Sequence, residues 1–434
     1  MQKKQKGLVW FRNDLRVQDN ESLKSAIDTN ENVIAIYFFD PRQFEETHFG
    51  FKKTEKFRAK FLLESVVALR KNLEKINIFL LVYHQKPEDI LPEFIQKHEI
   101  NSLYFQEEWT SEEKQVEKNI KDKVASYVVF KSSYNQFLFH PDSIPFSIDA
   151  IPNVFTQFRN KCEKSARVKS LFVSKTKSKE NLVPNDTMIP TLEDLGLEDF
   201  ELDSRTAFPF RGGEDAPLSR LQSYFWDSEK LSVYKLTRNG LIGADFSSKF
   251  SPWLANGTIS AKTIYWEILQ YEKEVEKNES TYWLIFELIW RDYFKYISLK
   301  NGDTIFKIGG ILHRDYDWKN NKYAINKWIN GTTEEPFVNA NMIELQQTGW
   351  MSNRGRQNVA SYFAKDLLLD WRIGAAYFES LLLDYDVHSN YGNWMYVSGV
   401  GNDPRDRKFN IKLQASNYDG QSKFQNLWLQ NKLF

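Results

Sequence analysis

Two different spacings of apolar and polar positions divide the chain. Between residues 7 and 130, short apolar runs rich in β-branched and aromatic residues alternate with longer segments that are apolar at helical spacing. The runs are GLVWF (7–11), NVIAIYFF (32–39), INIFLLVY (76–83), SLYFQ (102–106) and SYVVF (126–130). Segments such as TEKFRAKFLLESVVALRKNLEK and PEDILPEFIQKHE lie between them. Strands alternating with helices predict an α/β domain with a five-stranded parallel, Rossmann-like sheet covered on both faces. The loop after the first strand, FRNDLRVQDN, lacks the glycines that let a backbone approach a pyrophosphate, so the dinucleotide fingerprint is absent.

Periodicity is lost between residues 131 and 205, where prolines stand at 141, 145, 152, 184 and 190 beside the basic stretch KCEKSARVKSLFVSKTKSK. A long connection draped over the surface is expected there. Residues 206–434 carry helical patterns and no β-rich runs; SAKTIYWEILQYEKEV, TYWLIFELIWRDYFKYIS and NVASYFAKDLLLDWRI each place apolar residues at i, i+3, i+4. The expected organisation is an α/β domain over 1–130, the connection over 131–205, and an all-helical domain over 206–434.

A length of 434 residues fits two domains. Lys+Arg and Asp+Glu number 58 each, so any surface for nucleic acid must be a local basic patch. Cys162 is the only cysteine, which excludes a disulfide framework and suits a reducing compartment. The start MQKKQKGLVWF leaves no room for a leader peptide, and no apolar run reaches the ~18 residues of a membrane span. A cytoplasmic protein is therefore expected. The 13 Trp, 20 Tyr and 33 Phe suit large core contacts, and also stacking and electron transfer.

The six histidines (His48, His84, His98, His140, His313, His388) are scattered without metal-ligand spacing, so no metal is expected. Phosphate-binding Walker loops and GxSxG elbows are absent. DYDVHSNYGNW (384–394) concentrates polar and aromatic groups where a bundle would place a plain turn. Asp384 and Asp386 could form a hydrolytic pair or simply cap helices; neighbouring Arg and Asn residues favour hydrogen bonding to a planar ligand. TGWMSNRGRQ sets Asn353, Arg354, Arg356 and Gln357 at a helix start, where anions are favoured. ADFSSKFSPWLANGTIS places Ser247, Ser248, Lys249 and Ser251 before a helix as a phosphate cradle. Together these imply an anionic cofactor with a polar ring system, held in a helical bundle.

WFRNDLRVQDN, TRNGLIGADFSSKFSPWLANGTIS, FELIWRDYF, TGWMSNRGRQNVASYFAKDLLLDWR and DYDVHSNYGNW together resemble the photolyase/cryptochrome family, from about Lys6 to Trp428. FRGGEDAPLSRLQSYFW and YKLTRNGLIGADFSSKFS resemble its DASH branch. The resemblance implies FAD folded into a U inside the helical domain. Tyr234 and the segment Ser247, Ser248, Lys249, Phe250 and Ser251 would hold its ribose and diphosphate. Arg356 would pair with Asp384 beside the ring, Asp386 would accept hydrogen bonds from ring or ribose, and Asn390 would face flavin N5. Asn353 and Tyr385 complete that set. Trp394, Trp371 and Trp318 match a relay carrying an electron from the surface to the photoexcited flavin.

The same resemblance implies repair of cyclobutane pyrimidine dimers in DNA. Glu287, Trp290, Arg291, Arg238, Asn353, Arg354, Gln357 and Tyr396 are the matched substrate residues, helped by the RDRKFNIK stretch (405–412). Relatives that repair the pyrimidine–pyrimidone product carry two histidines where Asn353 and Gln357 stand, so that chemistry is not expected. Dimer photolyases usually have methionine at Gln357 and tryptophan at Tyr396; the more polar pocket resembles the DASH pattern and its preference for single-stranded DNA. A methenyltetrahydrofolate antenna would use Glu108, with Glu112 as the alternative. A monomer is expected. The rival reading is a blue-light sensor without repair, against which the chain's end at Phe434, with no long tail, is an argument; a non-photochemical flavoprotein is the third.

Overall fold

The computed structural model describes residues 5–430 apart from residue 183. The first four residues of the opening stretch read as leaderless, and the last four of the chain, lie outside the described residues.

The N-terminal sheet is built from β1 (Lys6–Trp10), β2 (Asn32–Phe38), β3 (Leu80–Tyr83), β4 (Ser102–Gln106) and β5 (Val129–Ser133). All pairs are parallel and the strand order is β3-β2-β1-β4-β5. Helices α1 (Glu21–Thr29), α2 (Lys56–Glu74), α3 (Pro87–Lys97) and α4 (Ser111–Lys123) cover it. The central strands are buried on both faces, as parallel strands between helical layers must be. Two strands start later than their apolar runs. Ile76 and Ile78 donate to the Leu73 carbonyl at 3.0 and 3.1 Å and Asn77 turns left-handed at φ 59°, so the front of INIFLLVY closes α2. Val128 bonds back to Ala125 at 3.0 Å, which delays β5; as an edge strand it leaves Val129 exposed.

The stretch 131–205 is more than a surface connection. It contains α5 (Phe155–Ser165) and buries Phe137, Leu138, Phe139, Phe155, Phe158 and Cys162. Asp292 accepts the Leu138 and Phe139 amides at 3.0 and 2.8 Å, and Leu192, Leu195 and Leu197 return to the N-terminal core. Prolines break this segment into pieces too short to show a period, so only packing reveals its core role.

The remaining helices run in the order α6 (Asp215–Leu221), α7 (Tyr234–Thr237), α8 (Ser251–Ala255), α9 (Ala261–Glu274), α10 (Glu279–Asn301) and α11 (Lys322–Ile329). They continue with α12 (Pro336–Thr348), α13 (Asn353–Ser361), α14 (Trp371–Leu381), α15 (Val387–Ser398), α16 (Ile411–Tyr418) and α17 (Lys423–Leu429). None of the described helices is long and apolar enough to cross a membrane.

The glycine-free loop FRNDLRVQDN joins the two domains. Arg16 donates to the carbonyls of Asp19 (2.9 and 3.1 Å) and Gly257 (2.8 Å), and Glu214 accepts the amides of Val17 and Gln18. Gly257 sits at φ 73°, and a Cβ there would lie 2.0 Å from the Asn13 carbonyl oxygen. Backbone meets backbone at that point, so neither side can yield. Gly257→Ala is expected to cost about 3 kcal/mol in chemical denaturation, the upper end for an overpacked site, with left-handed strain added.

Candidate functional site

Helix α13 divides the site. Ser352 caps it by accepting the Gly355 amide at 3.0 Å, which fixes the directions of the side chains that follow. Arg356 turns inward, donating Nε to the Met351 carbonyl at 2.9 Å, with Nη2 2.9 Å from Asp384 Oδ1. Arg354 and Gln357 turn outward and meet each other at 3.2 Å.

On the inner side the Asp384 side chain is 3% exposed. The Lys249 ammonium and the Arg356 guanidinium lie over the Trp350 ring at 4.5 and 5.6 Å. Lys249 has φ 64°, a left-handed turn in a non-glycine residue of the kind tolerated where the surroundings enforce it. Arg220 supplies that enforcement. Its guanidinium holds the carbonyls of Ala244, Ser247 and Ser248 at 3.0, 3.1 and 3.2 Å and pairs with Asp245 at 2.9 Å. Sequence reasoning missed Arg220, since an arginine 24 residues before the loop it supports carries no local signal. Burial pushes the Lys249 pKa down and the Glu344 carboxyl up, each partly countered by the other's charge.

These residues fit a large polar cofactor. Asp384 Oδ1 receives no aligned N–H, and Glu344 Oε2 and Trp350 Nε1 are buried without a protein partner. Unmet groups of this kind cost about 1–3 kcal/mol each, which a ligand with ring and hydroxyl groups would recover. Of the other expected cofactor residues, Tyr234, Ser248, Lys249 and Phe250 are buried, Ser247 is half-buried, and Ser251 and Asn353 are exposed.

The turn 384–386 sends successive side chains in different directions. Tyr385 lies beneath the Arg58 guanidinium of α2 at 4.7 Å, facing the N-terminal domain and not the cleft. Asp386 has both oxygens engaged within the protein: Oδ1 caps α15 through the Ser389 amide at 2.8 Å, and Oδ2 accepts from Lys295 at 2.7 Å. It aims the helix that carries Asn390 and Trp394. Asn390 is buried and donates to the Ala375 carbonyl at 3.0 Å.

Trp394 and Trp371 are buried on neighbouring helices, α15 and α14. A Cβ on Gly374 would lie 2.2 Å from the Trp394 ring, and Trp371 stands one helical turn before Gly374. Tyr391, one turn before Trp394, meets Trp371 edge-on at 6.0 Å. Trp318 is only half-buried; the following Lys319 bonds the Leu368 carbonyl at 2.7 Å, which sets it beside the start of α14. The three indoles thus run from the core outward.

Outside the cleft, Glu287 pairs with Arg238 at 2.7 Å, and burial raises its carboxyl pKa against the Arg238 charge. Trp290, on the same face of α10, stacks on Phe155 of α5 at 3.6 Å and meets Tyr396 edge-on at 6.1 Å. Arg407, from the 405–412 stretch, donates to the Tyr396 hydroxyl at 3.0 Å. Arg354 lies over Tyr418 at 4.4 Å and reaches Asn239 and Gln414, both at 3.4 Å. Arg291 donates to the Gln136 and Leu254 carbonyls at 2.6 and 3.1 Å, which ties α10 to its neighbours and leaves further N–H groups of the guanidinium.

A second polar cluster occupies the carboxyl ends of β1 and β4, where the strand order reverses and open α/β sheets bind ligands. Glu108 is buried and accepts from Gln106 at 3.0 Å and Asn13 at 3.3 Å; burial raises its pKa, with Arg12 and Lys295 opposing. Glu113 is pushed up to about 7 by burial and by Glu108. The next residue, Trp109, stacks on His388 at 4.3 Å and bonds Ser298 at 2.7 Å, tying this cluster to α15. Glu112 is exposed and paired with Lys53.

Family models match this arrangement twice: DNA photolyase over residues 7–179, and the FAD binding domain of DNA photolyase over 283–432. The crystal structure of a Synechocystis cryptochrome superposes with a TM-score of 0.94 at 43% identity, covering 99% of this chain and 90% of that one. A class III photolyase from Agrobacterium tumefaciens gives 0.83 at 25% identity, covering 99% and 87%. Fold and site therefore define a photolyase/cryptochrome protein with an FAD-binding domain. Cryptochrome DASH of Gloeobacter violaceus is 48% identical over 97% of this chain and 85% of its own length, and that of Danio rerio is 48% identical over 96% and 82%. The chain belongs to the cryptochrome DASH family.

Burial is the largest single effect and would raise the Asp386 carboxyl. The Lys295 charge and hydrogen bond, together with neighbouring groups including Arg291, outweigh it in sum and hold the group well below the usual carboxylate range. Its stabilisation is present above that range and lost only as pH falls through the depressed folded value. Asp386→Asn strands a buried ammonium, at an expected cost of about 3–5 kcal/mol near neutrality. Since burial already lowers the Lys295 pKa, the deficit should shrink as pH rises toward the unfolded lysine value of about 10.4, measurable by denaturation at about pH 7 and about pH 9.5.

Proposed function

We propose that this protein is a light-driven repair enzyme that splits cyclobutane pyrimidine dimers in DNA, with single strands preferred over duplex. The observation that carries this reading is the two-faced helix α13: Arg356 serves an inner, cofactor-type site, and Arg354 and Gln357, two residues before it and one after, serve an outer face. A lesion held outside thus lies next to a flavin held inside.

FAD would supply light absorption and the transferable electron. Lys249 and the Arg220-held loop would hold the diphosphate, and the Arg356–Asp384 pair would fix the polarity of the ring environment without a mobile proton. Asn390, with its amide N–H already on Ala375, has its carbonyl oxygen left for a ring donor. Trp394, Trp371 and Trp318 form the electron relay outward.

On the lesion side, Trp290 offers a rigid stacking surface because Phe155 supports one of its faces. Such stacking is worth about 1–3 kcal/mol per base. The Glu287 carboxyl, with its raised proton affinity, hydrogen-bonds the pyrimidine edge; Arg238 and Arg354 approach the backbone. Gln357 and Tyr396 are already bonded to Arg354 and Arg407, and give the pocket a polar lining with a weaker apolar grip. Unstacking a base from duplex costs a few kcal/mol, so a weak grip favours lesions that are already unpaired. The second cluster fits a methenyltetrahydrofolate antenna on Glu108, the buried carboxylate at the sheet's switch point. The enzyme acts as a monomer.

Purified protein illuminated with dimer-bearing oligonucleotides should clear dimers from the single strand faster than from duplex; intact dimers in both, with the flavin fully reduced, would favour the sensor reading. Trp394→Phe should retain the flavin absorbance and lose light-driven reduction. Arg238→Ala should lower the slope of log affinity against log salt by about 1, as read by titrations across ionic strengths.

A further inference from the structure

The basic stretch KCEKSARVKSLFVSKTKSK (161–179) carries seven cations and one acid in a chain whose charges sum to zero. It begins on α5, whose first residue, Phe155, supports Trp290. Arg159 lies over Phe286 at 5.4 Å and Tyr282 donates to Glu163 at 2.6 Å, so α5 runs along α10 away from Trp290. The helix ends at Ser165, and residues 166–178 follow without regular structure. This ribbon is pinned all the same. Phe172 and Asp19 exchange hydrogen bonds at 3.0 and 2.9 Å, and Lys177 donates its amide to the Ile76 carbonyl at 3.1 Å. Trp266 of α9 donates Nε1–H to the Lys169 carbonyl at 3.1 Å, meets Tyr265 edge-on at 5.3 Å, and stays 38% exposed.

The charges of the ribbon, unlike its backbone, are left open. Lys164, Arg167, Lys175 and Lys179 are exposed and form no ion pair among the described residues. Acids that face the stretch are taken: Glu163 by Arg159 at 3.6 Å, Asp142 by Lys169 at 3.7 Å, and Asp19 by the buried Lys262 at 2.8 Å. Like charges held on one fixed strand repel, and a polyanion laid along them relieves that repulsion. An acidic protein surface would meet the cations but have no use for a flat, exposed indole beside them. A nucleic-acid strand uses both, through its phosphates and an unpaired base.

We propose, building on the repair reading above, that residues 164–179 and Trp266 form a second nucleic-acid surface, which takes the undamaged single strand flanking a lesion. A strand leaving Trp290 follows the 11 residues of α5, about 16 Å, and then meets the ribbon. Its phosphates lie along Lys164, Arg167, Lys175 and Lys179, and one base stacks on Trp266. Duplex gains only the phosphate contacts, because its base faces are already stacked on one another. Extended backbone covers at most about 3.6 Å per residue, so Arg167 and Lys179 lie no more than about 43 Å apart. At the ~3.4 Å rise of a stacked strand, a flank of about 20 nucleotides spans helix and ribbon together.

The test uses the full-length, FAD-loaded protein in the dark, titrated by fluorescence anisotropy. The probes are dimer-bearing single strands with no flank, or with an undamaged flank of about 20 nucleotides on the 5′ or the 3′ side. One flank is expected to tighten binding about tenfold, the effect of one stacked base. Trp266→Ala should remove most of that gain, and Trp266→Phe, which keeps a stacking ring, should retain part of it. Lys164→Gln/Arg167→Gln/Lys175→Gln should lower the slope of log affinity against log salt by about 2, for the flanked strand alone. Affinity for the unflanked lesion and flavin absorbance should be unchanged in every variant. Cross-linking of a flank that carries 5-iodouracil, mapped by mass spectrometry, should mark Trp266 or the 164–179 peptide. No gain from either flank, or a gain that survives both Trp266→Ala and the triple variant, would overturn the surface while repair of short strands stands. An equal gain from a duplex flank would overturn its assignment to single strands. A wild type that repairs no dimer would overturn the repair reading, and the iodouracil cross-link to an undamaged strand would then still decide the surface.

Discussion

A charge taken out of water must find an opposite charge or a ligand, and that requirement governs the helical domain. Arg356 and Asp384 meet at 2.9 Å with the carboxylate almost fully buried, while Lys249 sits close by with an aromatic ring beneath it and no carboxylate in ion-pair contact among the described residues. Burial holds the nearby Glu344 carboxyl up, so the charge of Lys249 is only partly countered and suits a diphosphate. The neighbouring devices hold that arrangement still. Arg220 freezes the 244–248 loop, Ser352 sets the direction of α13, and Asp386 with Lys295 sets α15.

The interface between the domains is built by the same means. The sheet carries no phosphate-binding glycines, and its first loop is used instead to grip the helical domain through Arg16, Glu214 and the close approach at Gly257. The carboxyl end of the sheet is thereby pressed against α10 and α15. Glu108, Trp109, His388 and Lys295 come together there from both domains. Burial holds His388 neutral, so the cluster's charge resides in its carboxylates, Arg12 and Lys295. A ligand in this space would touch α15, the helix that carries Asn390 and Trp394.

The aromatic richness of the chain has two uses that geometry separates. Phe155, Phe158, Tyr293 and Tyr296 form stacked core contacts that mount α10, and through Phe155 they stiffen Trp290 at the outer face. Trp394 is surrounded by Phe363, Phe378 and Trp328, an apolar shell that leaves its Nε1 without a partner. An indole held dry in this way would be poorly solvated if it were oxidised.

Residue pattern and family motifs alone carried a large part of this molecule: the five parallel strands, the helical second half and the family with its FAD-binding domain. Those features are local, because a period of two or 3.6 residues, a cap or a motif is complete within a dozen positions. Elsewhere, packing decided. The strand starts at 80 and 129 moved because helix closure and a turn claimed the front of each apolar run. The connection acquired a helix and a share of the core because burial depends on neighbours more than 100 residues away. Nothing in the sequence showed that Arg291 would bond carbonyls distant in the chain or that Tyr385 would lie beneath Arg58. Side-chain direction follows from which groups remain unsatisfied once the two domains close on each other, and that is a property of the folded whole.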